Sequence, residues 1–251
     1  MPMMNPELSI VVPAKNEQQY LPQLLASLSN QDYPHMRMTK VFVADAASTD
    51  ATVSEAMRFA DRLNIEIIPG GLPAAGRNSG ARMSSSQYIL FLDADVELRD
   101  TTLIRRAVTT MGQRRLHCAT VSIACSDGSM IDNLLYRCNN VIQRLSSWAK
   151  PFGTGMFLLF DRRRFEQLGG FSEGALFAED YLLTKRVSIL RFSVLRGEVF
   201  TSNRRFRKVG HWRMVSLFFK TMINTWNTEH FEKDHGYWTP PTNMDHIEGQ
   251  V

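Results

Sequence analysis

The feature that most restricts the fold is a repeated alternation in the first part of the chain. Four short apolar runs, "LSIVVPA" (8–14), "TKVFVAD" (39–45), "IEIIP" (65–69) and "YILFL" (88–92), are separated by stretches with helical spacing. Continuous apolar runs of this length suit strands covered on both faces. Leu21, Leu24, Leu25 and Leu28 share one helix face, with Asn16 as the expected cap and Pro22 tolerated near the start. In "STDATVSEAMRFADRLN" a second face carries Val53, Ala56, Met57, Ala60 and Leu63, with Ser48 or Thr49 as cap. "AGRNSGARMSS" is the third helical stretch. This order predicts an α/β fold with a mainly parallel sheet flanked by helices. In open sheets of that kind ligands bind beyond the carboxyl ends of the strands. Polar residues stand at those ends: Lys15, Asn16 and Glu17 after the first run, Asp45 after the second, Asp93 and Asp95 after the fourth.

Beyond residue 100 the spacing predicts a helix over "DTTLIRRAVTTM", a strand over "HCATVSIAC", and a helix with Ile131, Leu134, Leu135, Cys138, Val141, Ile142 and Leu145 on its apolar face. A strand over "GTGMFLLFD" and a helix over "EDYLLTKRVSIL" follow. A last helix puts Val215, Phe218, Phe219, Met222, Ile223 and Trp226 on one side. With 251 residues, the chain can form one large domain, or a core domain with an appendage; the pattern is taken as one domain over 1–227, with halves 1–98 and 99–227, and a polar tail over 228–251. A net charge of +4 suits anionic substrates or a membrane surface, and is too weak to argue for nucleic acid. Cys118, Cys125 and Cys138 are odd in number and lack metal-ligand spacing, which suggests reduced thiols in a cytoplasmic setting. The N-terminal stretch does not read as a signal peptide, and no apolar run approaches the ~20 residues that cross a bilayer. The expectation is a chain that is soluble or lies on the inner face of a membrane.

Asp93 and Asp95 flank one alanine at the exit of the fourth run, so in an extended segment both would point the same way and need a cation. A single D-x-D is weak evidence. The ordered set is stronger: "VVPAKNEQQYL", "VADAASTDAT", "GRNSGA", "LFLDADVEL", "GTGMFLLFDRRRFEQLGGFSE", "AED" at 178–180 and "KVGHW". Together these resemble the family 2 glycosyltransferases with the GT-A fold, a Rossmann-like nucleotide-binding half joined to an acceptor-binding half. The resemblance leaves the tail unassigned.

The resemblance implies an inverting, metal-assisted transfer of sugar from a nucleotide-sugar donor, UDP- or GDP-linked, to a glycan, lipid or lipid-linked hydroxyl. Mg²⁺ or Mn²⁺ would neutralise the leaving diphosphate, with Asp95 as ligand and Asp93 nearer the ribose. Glu97 could add a ligand, and His211 is either a further ligand or an ordinary packed histidine. Asp180 would be the base, taking a proton from the acceptor, and Glu179 would hold the acceptor or orient the neighbouring loop. An acidic helix start favoured by the dipole is the plainer reading of both residues. Gly153, Thr154 and Gly155 would line the acceptor side. Pro13, Lys15, Glu17 and Asp45 would form the base and ribose pocket. Arg77 and Asn78 would face the diphosphate or brace the pocket, unless Arg77 is a surface charge.

Two departures leave the base open. The family pattern D-D-G-S-T-D reads "DAASTD" here, and Lys15 stands where an aromatic residue is common. A nucleotide-sugar-binding protein without turnover therefore stays as an alternative. A dinucleotide oxidoreductase does not fit, because "PAKNE" follows the first run where a G-x-G-x-x-G turn belongs. The segment "RRFRKVGHWRMVSLFFKTMINTW" joins basic residues to an aromatic stripe, and suits core packing, a membrane interface or a grip on the diphosphate.

Overall fold

The four apolar runs become β1 (Leu8–Ala14), β2 (Lys40–Asp45), β3 (Asn64–Pro69) and β4 (Tyr88–Phe91), all parallel, in the order β3-β2-β1-β4. The structure is a computed structural model and describes residues 7–224 and 227–233. Because successive side chains of a strand point to opposite faces, each run feeds two cores. Leu8, Ile10, Val12, Val41, Val43 and Leu90 lie on one side with Leu21, Leu24, Leu25 and Leu28 of α1 (Leu21–Ser29). Val11, Phe42, Ile89 and Phe91 lie on the other with Ala74 and Ala81 of α3 (Pro73–Met83). A β-carbon on Gly80 would lie 2.4 Å from a Val11 methyl, so glycine is what lets α3 seat against β1.

The chain adds β2 and β3 to one side of β1 and then returns to place β4 on the other. Open sheets place their ligand crevices at such a reversal, here beyond the carboxyl ends of β1 and β4. The sheet continues through β7 (Leu158–Asp161), antiparallel to β4, then β6 (Cys118–Cys125), β8 (Phe192–Thr201) and the edge pair β5 (Val96–Glu97). Three of the seven strand pairings are antiparallel, β4–β7, β6–β7 and β5–β8, so the sheet is parallel mainly in its first half. Helix α4 (Leu103–Arg114) covers the face of α1, and α6 (Arg162–Gln167) lies with α3 on the other. Phe91, Phe160, Phe165 and Phe171 pack in edge-to-face and tilted contacts at centroid separations of 5.0–6.4 Å, which fixes the loop after α6 to the middle of the sheet.

Several expectations change in detail. Helix α1 starts at Leu21, and Asn16 takes a left-handed φ of 55° instead of capping it. Helix α2 spans only Thr52–Met57, since Asp50 and Gln18 tie down the preceding residues. The expected strand over "GTGMFLLFD" is confined to β7, its glycines forming a loop. The expected helix over "EDYLLTKRVSIL" is a short α7 (Glu179–Thr184) followed by a 3₁₀ turn. Strand β8 carries Arg196, Gly197 and Glu198 in its interior and gave no clear strand signal. Part of the tail is packed: Phe231 of α10 (Thr228–Glu232) is buried against Phe177. Trp226 and the side chains of Phe219 and Met222 lie outside the described residues.

Helix α5 (Met130–Ser146) departs most. Its periodicity is helical as expected, but Ile131, Leu134, Val141 and Leu145 of the apolar face point outward, Leu135 and Ile142 are half-buried, and its buried residues are Asp132 and Gln143. The cause is polar attachment to β6. Asn140 accepts from the Ile123 N–H at 2.9 Å and donates to the Ile123 carbonyl at 2.8 Å, while Gln143 donates to Thr120 Oγ1 at 2.9 Å.

The aromatic cluster gives the first test. Phe91→Ala removes a fully buried ring with three aromatic neighbours and is expected to cost about 3–5 kcal/mol in denaturant unfolding. A loss below about 1 kcal/mol would mean that the loop is anchored elsewhere.

Candidate active site

The site is built from the turns after β1, β2 and β4, the 153–155 loop, and residues of α3, α7 and a late helix, α8 (Arg204–Val209). One wall is the pair of turns after β1 and β2, stitched together by side chains. Asn16 Oδ1 accepts from the Thr49 N–H at 2.9 Å, Ser48 Oγ accepts from Asn16 N–H at 2.9 Å, and Thr52 Oγ1 accepts from Glu17 N–H at 2.7 Å. Pro13 lies within contact of Gly76 in α3, and Lys15 is exposed. Asp45 closes β2; its Oδ2 accepts from Ser48 N–H, while its buried Oδ1 has no hydrogen-bond partner among the described residues. A buried carboxylate oxygen left open at a strand end is costly unless something binds it.

Arg77 is the centre of the site. It is 3% exposed, which rules out a surface charge. Its guanidinium pairs with Asp93 at 2.5 Å and with Glu179, and lies 5.3 Å from the Phe171 ring centroid. A β-carbon on Gly155 would sit 2.2 Å from Arg77 Nη2, so that glycine admits the guanidinium. Burial works against the charge, but Asp93, Glu179 and Asp180 more than offset it and raise the pKa above the ordinary arginine value. Asn78, one residue on, does not reach the crevice floor. It bonds Phe171 N–H, the Phe171 carbonyl and Glu173 at 3.0, 2.9 and 2.8 Å, so it braces the aromatic loop.

Asp180 opens α7 behind Ala178, whose left-handed φ of 52° turns the chain sharply. Its Oδ2 accepts from Gly155 N–H at 2.8 Å and its Oδ1 from Tyr181 N–H at 2.7 Å. Burial, with Glu179 alongside, pushes the Asp180 carboxyl up to about 7, although Arg77 pulls the other way. Gly153 N–H donates to Thr184 Oγ1 at 3.3 Å, and the buried Thr154 hydroxyl next to it has no partner among the described residues.

Asp93 and Asp95 occupy a turn, not an extended segment, and each has its own arginine. Asp95 pairs at 3.2 Å with Arg204 of α8 (Arg204–Val209), which also holds Glu17 through two bonds of 3.0 and 2.8 Å and lies over the Tyr20 ring. Burial raises the Glu17 pKa despite Arg204. Glu97 faces Arg99 at 2.8 Å. His211, at the start of α9 (His211–Ile223), has Nε2 2.6 Å from Asp132 Oδ1 and stacks on Phe206. Burial would raise Asp132, but hydrogen bonds from His211, Ser129 and Asn203 hold it down to about 2. The geometry thus forms two neighbouring clusters, Arg77 with Asp93, Glu179 and Asp180, and Arg204 with Glu17 and Asp95, and leaves Glu97 and His211 on other partners. Among the described residues no three His, Cys, Asp or Glu side chains gather as a metal cluster. A divalent cation that finishes its shell on phosphate and water needs only one or two carboxylates, and the Asp93–Asp95 turn fits that demand. Sequence reasoning left Arg204 within a basic cluster and missed Asp132, whose partner stands 79 residues away.

Removing the central cation tests this network. Arg77→Met leaves Asp93, Glu179 and Asp180 facing one another and is expected to destabilise the fold by about 3–5 kcal/mol near pH 7. The deficit should shrink as pH falls, because the variant's native state takes up protons that relieve the repulsion. Urea unfolding at pH 5 and pH 7.5 checks it; equal stability to the parent at both would contradict the network.

Residues 9–169 match the family described as Glycosyl transferase family 2. Over 101 residues the chain is 31% identical to poly(ribitol-phosphate) beta-N-acetylglucosaminyltransferase TarS of Staphylococcus aureus, covering 39% of this chain and 18% of that protein. It is 25% identical over 240 residues to 4,4'-diaponeurosporenoate glycosyltransferase of Staphylococcus haemolyticus, covering 89% of this chain and 60% of the relative. The match therefore spans less than two thirds of either relative's length. Its fold is similar to that of TarS residues 1–349 in complex with UDP, with a TM-score of 0.62, 18% identity, and coverage of 79% and 60%. It is also similar to the mannosyltransferase PcManGT from Pyrobaculum calidifontis in complex with GDP-Man and Mn2+, with a TM-score of 0.67, 22% identity, and coverage of 88% and 66%. On these findings the fold is of the GT-A type, and the chain belongs to glycosyl transferase family 2.

Proposed function

We propose that this chain transfers a sugar from a UDP- or GDP-linked donor to a hydroxyl of a glycan, lipid or lipid-linked acceptor, with inversion at the anomeric carbon. One observation carries the reading: Asp180, held by two backbone N–H groups, stands beside the Arg77 cluster that also holds Asp93 of the turn after β4, and burial raises its carboxyl towards neutrality. A base with a pKa near neutrality can be ionised at working pH and still accept a proton. Asp180 takes the proton from the acceptor hydroxyl as its oxygen bonds the anomeric carbon, and the electrons of the broken bond leave with the nucleoside diphosphate. The Gly155 N–H and Tyr181 N–H hold Asp180 in place for that transfer. Glu179 is engaged with Arg77, which suits bracing better than proton transfer.

The donor half is 1–98 and the acceptor half 99–227. Asp45, with its open oxygen, together with Pro13, Lys15 and Glu17, accommodates base and ribose. Gly153, Thr154 and Gly155 line the acceptor side, where the Thr154 hydroxyl, without a partner among the described residues, can meet a sugar or lipid oxygen. If Mg²⁺ or Mn²⁺ binds, Asp95 with Asp93 would hold it, and its charge would favour departure of the diphosphate. His211 joins only by exchanging Asp132 for that ion. Among the described residues no helix is long and apolar enough to cross a membrane. The setting that fits a lipid-linked acceptor is the cytoplasmic surface of a membrane.

Asp180→Asn tests the reading. It should lower transfer about 10²–10⁴-fold while UDP or GDP sugars, with Mn²⁺, still raise the melting temperature as ligands of the native state do. In the parent, kcat/KM should rise with pH through about 7, as the base loses its proton. Full transfer by the variant would remove Asp180 from the mechanism. Donor binding without turnover in the parent would make the chain a nucleotide-sugar-binding protein.

A further inference from the structure

Helix α5 is built inside out. Asp132 and Gln143, at 2% and 0% exposure, are its buried residues, whereas Ile131, Leu134, Val141 and Leu145 are each more than half exposed. At about 100° per residue, Ile131, Leu134, Cys138, Val141 and Leu145 fall within about 80° of the helix circumference. Met130 at one end and Trp148 just past the other, 88% and 84% exposed, extend the stripe. Cys138 is exposed in the middle of it. A contiguous apolar surface of this length on a water-facing helix marks an interaction site.

The charges beside the stripe say what covers it. The charged residues that α5 exposes, Arg137 and Arg144, are both cations, seven residues apart, with Arg144 on the sheet side of the border where it also donates to Ser122 Oγ at 3.3 Å, and the exposed Lys150 follows the helix. Its single acidic residue, Asp132, is turned inward onto His211 and Asn203. Pairing α5 with the same helix of a second copy would set these arginines against each other. An anionic lipid surface instead accepts the apolar stripe among its acyl chains, the arginines among its headgroups, and a tryptophan at their boundary. Trp212 is 87% exposed and follows the histidine that α5 holds, so a second aromatic side chain projects near the same helix.

We infer that the outer face of α5, from Met130 to Trp148, docks this protein onto an anionic phospholipid surface. The face moves the expected membrane contact from residues 204–226 to α5. Within that earlier segment Leu217 is buried and Phe218 packs on Phe152, while Arg204 turns into the crevice. The inference does not depend on the transfer reaction, since binding to lipid needs neither donor nor Asp180.

Co-flotation of the full chain with vesicles tests it. The protein should float with phosphatidylcholine vesicles containing phosphatidylglycerol about tenfold more than with phosphatidylcholine alone, and the difference should shrink with added salt. Leu134→Gln with Leu145→Gln should lower flotation about tenfold, and Arg137→Glu with Arg144→Glu should abolish the preference for phosphatidylglycerol. Both variants should stay folded, with melting temperatures within about 4 °C of the parent, because the leucines and Arg137 face water and Arg144 gives up one bond, to Ser122. Four results would overturn the inference: no flotation with anionic vesicles, flotation indifferent to both pairs of substitutions, a parent dimer that the leucine variant converts to a monomer without altering flotation, or a large drop in melting temperature that shows the stripe packed within the fold.

Discussion

The buried guanidinium of Arg77 is the interaction on which the site depends. It comes from α3, which seats on β1 and β2, and it reaches both the Asp93 turn after β4 and the Glu179–Asp180 start of α7. One cation thus joins the turn after β4 to the start of α7, the two sides given to donor and acceptor in the proposed reaction. Without it, three carboxylates would face one another in a poorly hydrated space. The arrangement also explains two local features, Gly155, which leaves room for the guanidinium, and the Asn78–Phe171 bonds, which hold the aromatic loop beside it. Arg204 does a similar job at the outer edge, linking Glu17 to Asp95 from α8.

The first half of the fold was legible because its signals are local. Each parallel strand is a continuous apolar run, each helix shows apolar spacing, and the polar residues that end β1, β2 and β4 sit where a parallel sheet exposes its carboxyl ends. The second half hides its strands. β8 is interrupted by Arg196–Glu198, and β5 has two residues that owe their strand geometry to β8. Such elements are set by tertiary pairing, and propensity gives little warning of them.

The site divides the same way. Residue types such as Asp45, Asp93, Asp95 and Asp180 could be picked from the sequence, because carboxylates at strand and helix ends are the currency of this chemistry. Their partners could not. Nothing local in "GRNSGA" says that Arg77 is buried, or that it binds a carboxylate 102 residues later. The capping box of Ser129 and Asp132 has a local signature, yet its bond to His211 does not. Helix α5 shows why periodicity alone misleads about orientation. Its apolar stripe is regular, but Asn140 and Gln143 bond β6 so well that the polar side became the inner one.

The most direct measurement is a carbon-13 NMR titration of the Asp180 carboxyl in the unliganded protein. Burial and the neighbouring Glu179 should place its midpoint near 7, well above the ordinary aspartate value of 3.8, with Arg77 keeping it from rising further. A midpoint close to 3.8 would show a hydrated, unremarkable carboxylate and contradict the role given to it.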